Sequence, residues 1–313
     1  MTRPEQFEGE RLPSFIPSVS SVKDDRPFED YLTLFESLLV PCALTSAYDW
    51  HSLAGDARDR AMRSYFDWRA AGGRMVLDSG RYEAYWRRDG GWSHAAYLRT
   101  ALELTPTWIM SFDGPLSADA GTEGMAALRE WERDQAAVGI TPVVPIVHGR
   151  PESLPTAVVD VARESPVGLI AVAERDLGQG IVARARTVHS IRQALDDGGF
   201  VRALHLLGTG SPISVLIYSL AGADSFDGLE WNRTSTDFET ARLYHFHHFD
   251  FFEYQSVAGG SGSYWARVLA HNLIFWQRWL DQIRRGDSQA MLDRYLPSAA
   301  VDPLWKALPE ALQ

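Results

Sequence analysis

Short, almost wholly apolar runs recur along the chain at Leu38–Thr45, Met75–Asp78, Trp108–Asp113, Val143–His148, Val167–Glu174, Ala203–Gly210 and Ser225–Leu229. The intervals are long enough for a strand, a helix and two loops. The runs are apolar throughout rather than alternating, as suits parallel strands covered on both faces. The intervening segments carry the 3.6-residue repeat of helices. Ile181, Val188, Ile191 and Leu195 share one face, with Arg184, Arg186 and Arg192 among the polar positions and Gly198-Gly199 as a stop signal. Thr122 is placed to cap a helix bearing Met125, Leu128 and Trp131, and Ser211-Pro212 supplies an N-cap followed by a first-turn proline. Residues 263–284 form a strong helical pattern, capped by Ser263, with Trp265, Val268, Leu269, Asn272, Trp276 and Trp279.

This βα repetition predicts an α/β fold, a (β/α)8 TIM barrel, with an open doubly wound sheet as the alternative. Leu243–Phe252 is the expected eighth strand, and residues 1–28, rich in Pro, Ser and charge, read as an irregular lead-in. Residues 29–313 then form one domain with C-terminal helices, and Gly259-Gly260-Ser261-Gly262 reads as a loop rather than a linker.

Composition narrows the functional classes. The chain has 313 residues, 45% of them hydrophobic and 23% charged, enough apolar material for a sizeable core. Eleven Trp, fourteen Phe and eleven Tyr exclude disorder. The one cysteine, Cys42, permits neither an internal disulfide nor an all-cysteine zinc site, which fits a reducing, cytoplasmic setting. Neither a signal peptide nor a membrane-spanning run is expected. Acids outnumber bases 41 to 30, a net charge of −11 that repels nucleic acid wherever basic residues are not locally clustered. Candidates for such a cluster are Arg81, Arg87, Arg88, Arg175 and Arg233, which read equally well as solvated loop charges.

Polar residues repeatedly follow the apolar runs, where barrel enzymes keep their chemistry. Asp78-Ser79-Gly80, Asp113-Gly114, His148-Gly149, Glu174, Gly208-Thr209-Gly210 and Asp227-Gly228 all stand there. A single Asp-Gly pair is ordinarily a turn or cap, and a single His a core residue bonded to backbone. Three aspartates at three strand ends would instead converge on one mouth and perturb one another, as acid/base and nucleophilic chemistry requires.

The order and wording of these motifs resemble the tRNA-guanine transglycosylases (queuine tRNA-ribosyltransferases). Met75–Tyr82 (MVLDSGRY) is similar to that family's Asp-Ser-Gly-Gly-Tyr/Phe strand end, and Ser111–Pro115 (SFDGP) to its Phe-Asp-Glu-Cys. Pro145–Gly149 (PIVHG) resembles Ile-Val-Gln-Gly, and Gly168–Glu174 (GLIAVAE) resembles Gly-Leu-Ala-Val-Gly-Glu. Leu204–Pro212 (LHLLGTGSP) and Gly222–Leu229 (GADSFDGL) are similar to Tyr-Leu-Met-Gly-Val-Gly-x-Pro and Gly-Val-Asp-Met-Phe-Asp-Cys-Val. Arg267–Arg284 resembles the family's closing helix around His-Asn. The matches are collinear from about residue 75 to 285.

The resemblance implies that Asp227 is a nucleophile attacking the anomeric carbon of a nucleotide, and that Asp78 moves protons on and off the bases. It implies that Asp113 accepts hydrogen bonds from a guanine-like edge and that Tyr82 and Leu207 sandwich the base. Gly208 and Ile170 would offer backbone contacts, and His148 stands where the family has Gln. There are departures: Arg81 replaces the second Gly of the Asp-Ser-Gly-Gly motif, and Glu230-Trp231-Asn232-Arg233 replaces the Pro-Thr-Arg after the nucleophile. The family's three zinc cysteines are missing, as if the zinc subdomain were reduced or absent. His245, His247 and Asp250 have the same i, i+2, i+5 spacing and with His271 are the candidate ligands of a zinc site. The alternative is a terminal strand whose histidines pack or bond to backbone.

With the zinc subdomain trimmed and the charge acidic, the chain resembles most the DpdA-like branch, which inserts 7-deazaguanine bases such as preQ0 into DNA. The expectation is a DNA guanine transglycosylase working with a partner protein of a modification system and needing no cofactor for its chemistry. Base exchange on tRNA, a nucleoside hydrolase or small-molecule ribosyltransferase of 7-deazapurine metabolism, and a non-catalytic relative are the alternatives. The retained Asp78, Asp113 and Asp227 speak against the last.

Overall fold

In a computed structural model the chain is described at residues 3–22, 26–112, 122–256, 262–286 and 288–305. It begins with an antiparallel hairpin, β1 (Gln6–Phe7) and β2 (Glu10–Arg11), and passes directly into β3 (Ser14–Val19), all six residues of which are buried. The expected irregular lead-in is therefore corrected. Ser14-Phe15-Ile16-Pro17-Ser18-Val19 is a sheet strand, concealed in the sequence by its serines and by a proline.

The βα repetition follows as α1 (Phe28–Ser37), β4 (Cys42–Ser46), α2 (Ala47–Ser52), α3 (Gly55–Ala70), β5 (Arg74–Asp78), α4 (Arg81–Arg87), α5 (His94–Leu104) and β6 (Trp108–Met110). It continues through α6 (Glu123–Val138), β7 (Val143–Val144), β8 (Ile146–Val147), α7 (Leu154–Glu164), β9 (Leu169–Ala173), α8 (Ile181–Asp197), β10 (Ala203–Leu207), α9 (Pro212–Ala221) and β11 (Ser225–Gly228). These strands form one nine-stranded sheet, ordered β7-β6-β5-β4-β3-β11-β10-β9-β8. The pairings from β3 to β7 and from β9 to β11 are parallel. The two terminal strands of that order, β7 and β8, are one stretch of chain interrupted by Pro145, which has no N–H to give a ladder. Counting them as one leaves eight strands and the connectivity of a TIM-like barrel sheet.

The expected eighth strand, Leu243–Phe252, is corrected. Leu243–His245 is β13, an antiparallel partner of β12 (Thr234–Thr236) outside the main sheet, and Phe246–Phe251 turns into 3-10 helix. The eighth strand of the main sheet is β3. The chain ends in α10 (Tyr264–Arg284), α11 (Ser288–Tyr295) and α12 (Ser298–Trp305). Three of the four Gly-Gly-Ser-Gly loop residues, 259–261, lie outside the described residues.

Contacts divide the chain into two compact units. One comprises Ile16–Pro115 and Ala127–Ile146. In it, aromatic heads tie helices to a strand, to the turn before it and to a helix end. Trp50 Nε1 donates to Thr45 Oγ1 (3.1 Å), Trp68 Nε1 to the Val40 carbonyl (2.9 Å) and Tyr65 Oη to the Leu104 carbonyl (3.0 Å). Each ring is buried while its polar atom is satisfied, as interior Trp and Tyr require.

The other unit comprises Met1–Phe15, Leu116–Ala126 and Val147–Gln313. Its helices start where the sequence signals them. The Ser211 and Ser263 hydroxyls accept from the Ser214 and Ala266 amides at the heads of α9 and α10. Trp265, Val268, Leu269, Asn272, Trp276 and Trp279 of α10 are all buried, with Phe15 stacked on Trp276 at 3.7 Å and Trp279 Nε1 donating to the Pro212 carbonyl.

Arg192, expected on the polar face of α8, points inward instead. Its guanidinium pairs with buried Asp224, Nε donates to the Gly222 carbonyl and Nη1 to the Arg202 carbonyl, each at 2.9 Å. Asp224 also accepts from the Leu204 amide (2.9 Å). Gly222 is obligatory here: its φ is +122° and an added Cβ would strike the Arg192 stem. One ion pair thus pins α8, β10 and the turn into β11. Removing one partner of a buried pair leaves the other charge desolvated, at a cost of about 3–5 kcal/mol. Arg192→Met should lower the unfolding free energy by about that amount in denaturant titrations. A loss below about 1 kcal/mol would show that the pair does not hold these elements.

Candidate functional site

Asp227 lies in β11, buried on every residue, next to the C-terminal end of its strand. Its Oδ1 accepts from the Gly208 amide at 2.8 Å, where β10 has just ended and the chain turns through φ +79°. Beneath it, His205 is fully buried, with Nε2 3.4 Å from Asp227 Oδ1. His205 Nδ1 meets Ser225 Oγ at 2.9 Å, and Ser14 Oγ donates to Ser225 Oγ at 3.1 Å. His205 Nδ1 and the Ser225 hydroxyl share one hydrogen bond, and Nε2 faces the carboxylate without a hydrogen bond of its own. A column of polar groups, Ser14–Ser225–His205–Asp227, therefore runs through an otherwise apolar set of strands. The sequence reading passed over His205 because it sits inside the apolar run Leu204–Leu207.

Gly228 packs closely against Gly210 and Glu230. A Cβ on Gly228 would meet the Gly210 backbone, and a Cβ on Gly210 would overlap the Glu230 carboxylate. The two glycines let two strand ends and an acid approach closely. Burial pushes the Glu230 carboxyl above its ordinary value, assisted by Asp227 and Glu174 and opposed by Arg233. Glu174, directly after β9, accepts from Tyr218 Oη and Arg184 Nη1, both at 2.9 Å. Burial, followed by the Glu174 charge, raises the Tyr218 phenol well above its usual range.

His148, directly after β8, is held by a carboxylate rather than by backbone. Its Nδ1 lies 2.8 Å from Asp176 Oδ2. Leu207 is the half-buried last residue of β10. Ile170 is not brought to a strand end. It is fully buried near the start of β9, in register with Leu204, and its strand finishes at Ala173.

In the other unit Asp78 is the half-buried last residue of β5, and its Oδ2 accepts from the Gly80 amide at 3.2 Å. Gly80 takes φ +78°, and a Cβ there would strike the backbone of Tyr48, so only glycine fits the turn. Trp92 Nε1 donates to the Ser79 carbonyl at 3.0 Å and its ring meets Tyr48 edge-on at 5.3 Å. Tyr82 is exposed on α4. Arg81 places its guanidinium over the Phe112 ring at 5.4 Å. Asp113 lies outside the described residues. Its neighbour Phe112 is anchored: the Phe112 amide donates to Asp134 Oδ2 (2.6 Å), and fully buried Asp134 also bonds His94 Nε2 (2.5 Å).

The proposed zinc ligands do not assemble. His271 is fully buried between the rings of Phe238 and Phe249, and its Nε2 donates to the Thr236 carbonyl at 2.7 Å. Asn272 Nδ2 donates to the Trp231 and Thr234 carbonyls, and its Oδ1 accepts from the Thr236 amide. The His-Asn pair therefore satisfies the backbone of β12. His245, His247 and Asp250 are exposed, and the His245 ring nitrogen accepts from the His247 amide. Among the described residues no group of three or more His, Cys, Asp and Glu could hold a metal ion. Nor is any helix among them long and apolar enough to cross a membrane.

A further carboxylate cluster escaped the sequence reading because it begins at Ser20-Ser21, within the supposed lead-in. Asp49 accepts from both the amide (2.9 Å) and the hydroxyl (2.5 Å) of Ser21, and Ser20 Oγ donates to Glu83 Oε1 (2.5 Å). Both acids are buried. Asp49 stands at the wall of a cavity of about 540 Å³ lined also by Tyr48, Arg26, Arg60 and Arg87. No protein-family model matches the chain, and no curated protein matches it in sequence.

Burial, then the Glu83 charge, pushes Asp49 up to about 7. A carboxyl raised on folding contributes stability below its unfolded value near 4, and loses it as pH rises through its folded value. The protein should therefore melt lower at pH 8 than at pH 5, and Asp49→Asn, which retains an acceptor for Ser21, should flatten that slope. Melting curves of both proteins across this range check it, and parallel curves would reject the assignment.

Proposed function

We propose that the chain is a base-exchanging transglycosylase of the guanine transglycosylase kind, acting on DNA. The observation that carries this reading is Asp227. It is a buried strand-end carboxylate oriented by the Gly208 amide and backed by His205, in a setting lined by Gly208, Gly210 and Gly228. A carboxylate suits attack on an anomeric carbon because positive charge develops there in the transition state. The collinear motif resemblance and Asp78 at the end of β5 support the same reading.

On this reading an Asp227 oxygen bonds to C1′ of the target nucleotide as the C1′–N9 bond to guanine breaks. The departing base takes a proton from the Asp78 carboxyl. A 7-deazaguanine base then enters, gives its N9 proton to the Asp78 carboxylate, and bonds to C1′ as the Asp227 ester breaks. Atoms and charge balance without an oxidant, reductant or metal. Asp113 and His148 would read the polar edge of the base and Tyr82 and Leu207 its faces. Glu230, whose carboxyl burial shifts upward, stands beside Gly210 as a further acid at the site. Inside duplex DNA the nucleotide must leave the stack before a carboxylate reaches its sugar. The −11 charge opposes that distortion, so single-stranded or distorted DNA, or help from a partner protein, is expected.

The test is trapping of the covalent intermediate. Labelled single-stranded DNA, tRNA and free nucleoside are each incubated with protein and a 7-deazaguanine base, then resolved on a denaturing gel. A DNA adduct should form with the native chain and be absent with Asp227→Asn, whose melting temperature should be unchanged within a few degrees. Asp78→Asn should bind base yet fail to complete exchange. Adduct of normal yield in folded Asp227→Asn would reject the nucleophile, labelling of tRNA alone would move the activity to RNA, and turnover of nucleoside alone would replace exchange on a polymer by small-molecule chemistry.

A further inference from the structure

The helix that follows Asp78 carries, beside Tyr82, two rings that the proposed chemistry does not use, Tyr85 and Trp86. In α4 the sequence Arg81-Tyr-Glu-Ala-Tyr-Trp-Arg87 is followed by Arg88 in a left-handed cap at φ +56°. Helical spacing puts Tyr82, Tyr85 and Trp86 on one face, at i, i+3 and i+4. That face is open: Tyr85 is 75% exposed, Trp86 54% and Tyr82 40%. The rings adjoin one another edge-on, Tyr85 to Trp86 at 5.5 Å and Tyr82 to Trp86 at 6.3 Å. The opposite face, Glu83 and Ala84, is buried, with Glu83 bonded to Ser20. The one acid of the helix is thereby withdrawn from the surface, while Arg87 and Arg88 are exposed at its end and Arg81 flanks its start. Asp89, the next acid, is exposed and accepts from the Gly91 amide.

Three exposed rings within two helical turns are costly to leave in water. Here they are flanked by arginines on a chain whose net charge is −11: Arg88 is exposed at the end of the helix, Arg87 bonds the Ser21 carbonyl and Arg81 lies over the Phe112 ring. A protein partner docking on an apolar patch needs no such cations. A single polynucleotide strand needs both, ring faces for its bases and positive charge for its phosphates. We propose that α4 is a stacking platform for a single-stranded polynucleotide, engaging the unpaired nucleotides that flank the target while Asp78 stands at the root of the same helix. This inference rests on the transglycosylase reading for its biological setting and on the ring-and-guanidinium surface for its chemistry. The shared chemistry is an unpaired polynucleotide, and DNA and RNA strands are separate arms of the test.

The experiment is fluorescence anisotropy on the full chain at about 50 mM salt, with labelled strands of about 12 nucleotides in deoxythymidine, uridine and duplex form. The native chain should bind a single strand more tightly than duplex, with affinity falling as salt rises. Tyr85→Ala combined with Trp86→Ala, both at exposed positions outside the base-exchange machinery, should weaken single-strand binding at least about tenfold without changing the melting temperature. Arg88→Ala should weaken it less and reduce the salt slope. Unchanged affinity in the double variant, tighter binding of duplex, or no binding by the native chain would each overturn the proposal. The deoxythymidine and uridine arms decide which polymer the surface accepts. Failure of the exchange reading is separable. Strand binding that depends on Tyr85 and Trp86, with no trapped adduct at Asp227, would remove the chemistry and leave the platform. A normal adduct with ring-independent binding would do the reverse.

Discussion

A strand that pairs in parallel with its neighbour must be followed by enough chain to return to the same starting edge, and this requirement governs both the helices and the chemistry. In each unit the crossover helices cover the strands, so the strands become apolar runs. The residues released just past each run are the ones free to be polar. Asp78 after Leu77 and Glu174 after Ala173 occupy that position, and Asp227 stands one residue before its strand finishes. The Arg192–Asp224 pair serves the same arrangement from the opposite end of the strand, since Asp224 directly precedes β11 and binds the Leu204 amide of β10. A charge pair is a costly way to seat a helix. It is tolerable here because the Arg192 nitrogens and the Asp224 carboxylate find backbone partners as well.

Strands buried on both faces are legible from apolar runs alone: β6 to β11 fall within the runs that mark them, and β4 and β5 overrun theirs by one residue. β3 was not legible, because Ser14, Ser18 and a proline break its pattern. Its serines are there to bond, and Ser14 begins the polar column that ends at Asp227. The strand mistaken for its substitute, Leu243–Phe252, is rich in aromatic residues for a different reason. Its rings pack beside α10, with Phe249 against His271 and Phe246 near Tyr264. At the site, residues at strand ends could be named from sequence. Polar residues buried within a strand or on the inner side of a helix, His205 in β10, Asp49 in α2 and Glu83 in α4, could not, since nothing in a single sequence distinguishes them from packing residues or solvated charges.

The closing helix shows how one residue pair can answer two different structural needs. A two-stranded ribbon such as β12–β13 leaves one backbone edge without a ladder partner, and buried amides and carbonyls must then be paired by side chains. Asn272, with an acceptor and two donors, meets Thr236, Trp231 and Thr234 at once, and His271 takes the Thr236 carbonyl. Burial depresses the His271 imidazole below its ordinary value, so the ring stays neutral and bonds as a single donor. The ring is enclosed by Phe238 and Phe249, and its Nδ1 is buried without a hydrogen-bond partner.

The acidic balance of the chain bears on partners only through its distribution. At physiological ionic strength the field of a distant charge is damped within about 8 Å, so a polymer near one surface responds chiefly to the groups there. Many of the acids are withdrawn from solvent: Asp49, Glu83, Asp134, Asp224 and Asp227 are all buried. Around α4 the accessible charges are mainly guanidinium groups, Arg87 and Arg88 with Asp89 beside them, and next to them stand rings whose stacking energy salt does not screen. A net charge of −11 is therefore compatible with a nucleic-acid substrate provided that contact is local, aromatic and made to unpaired nucleotides. The same charge disfavours the broad phosphate contacts by which duplex-binding proteins gain their affinity.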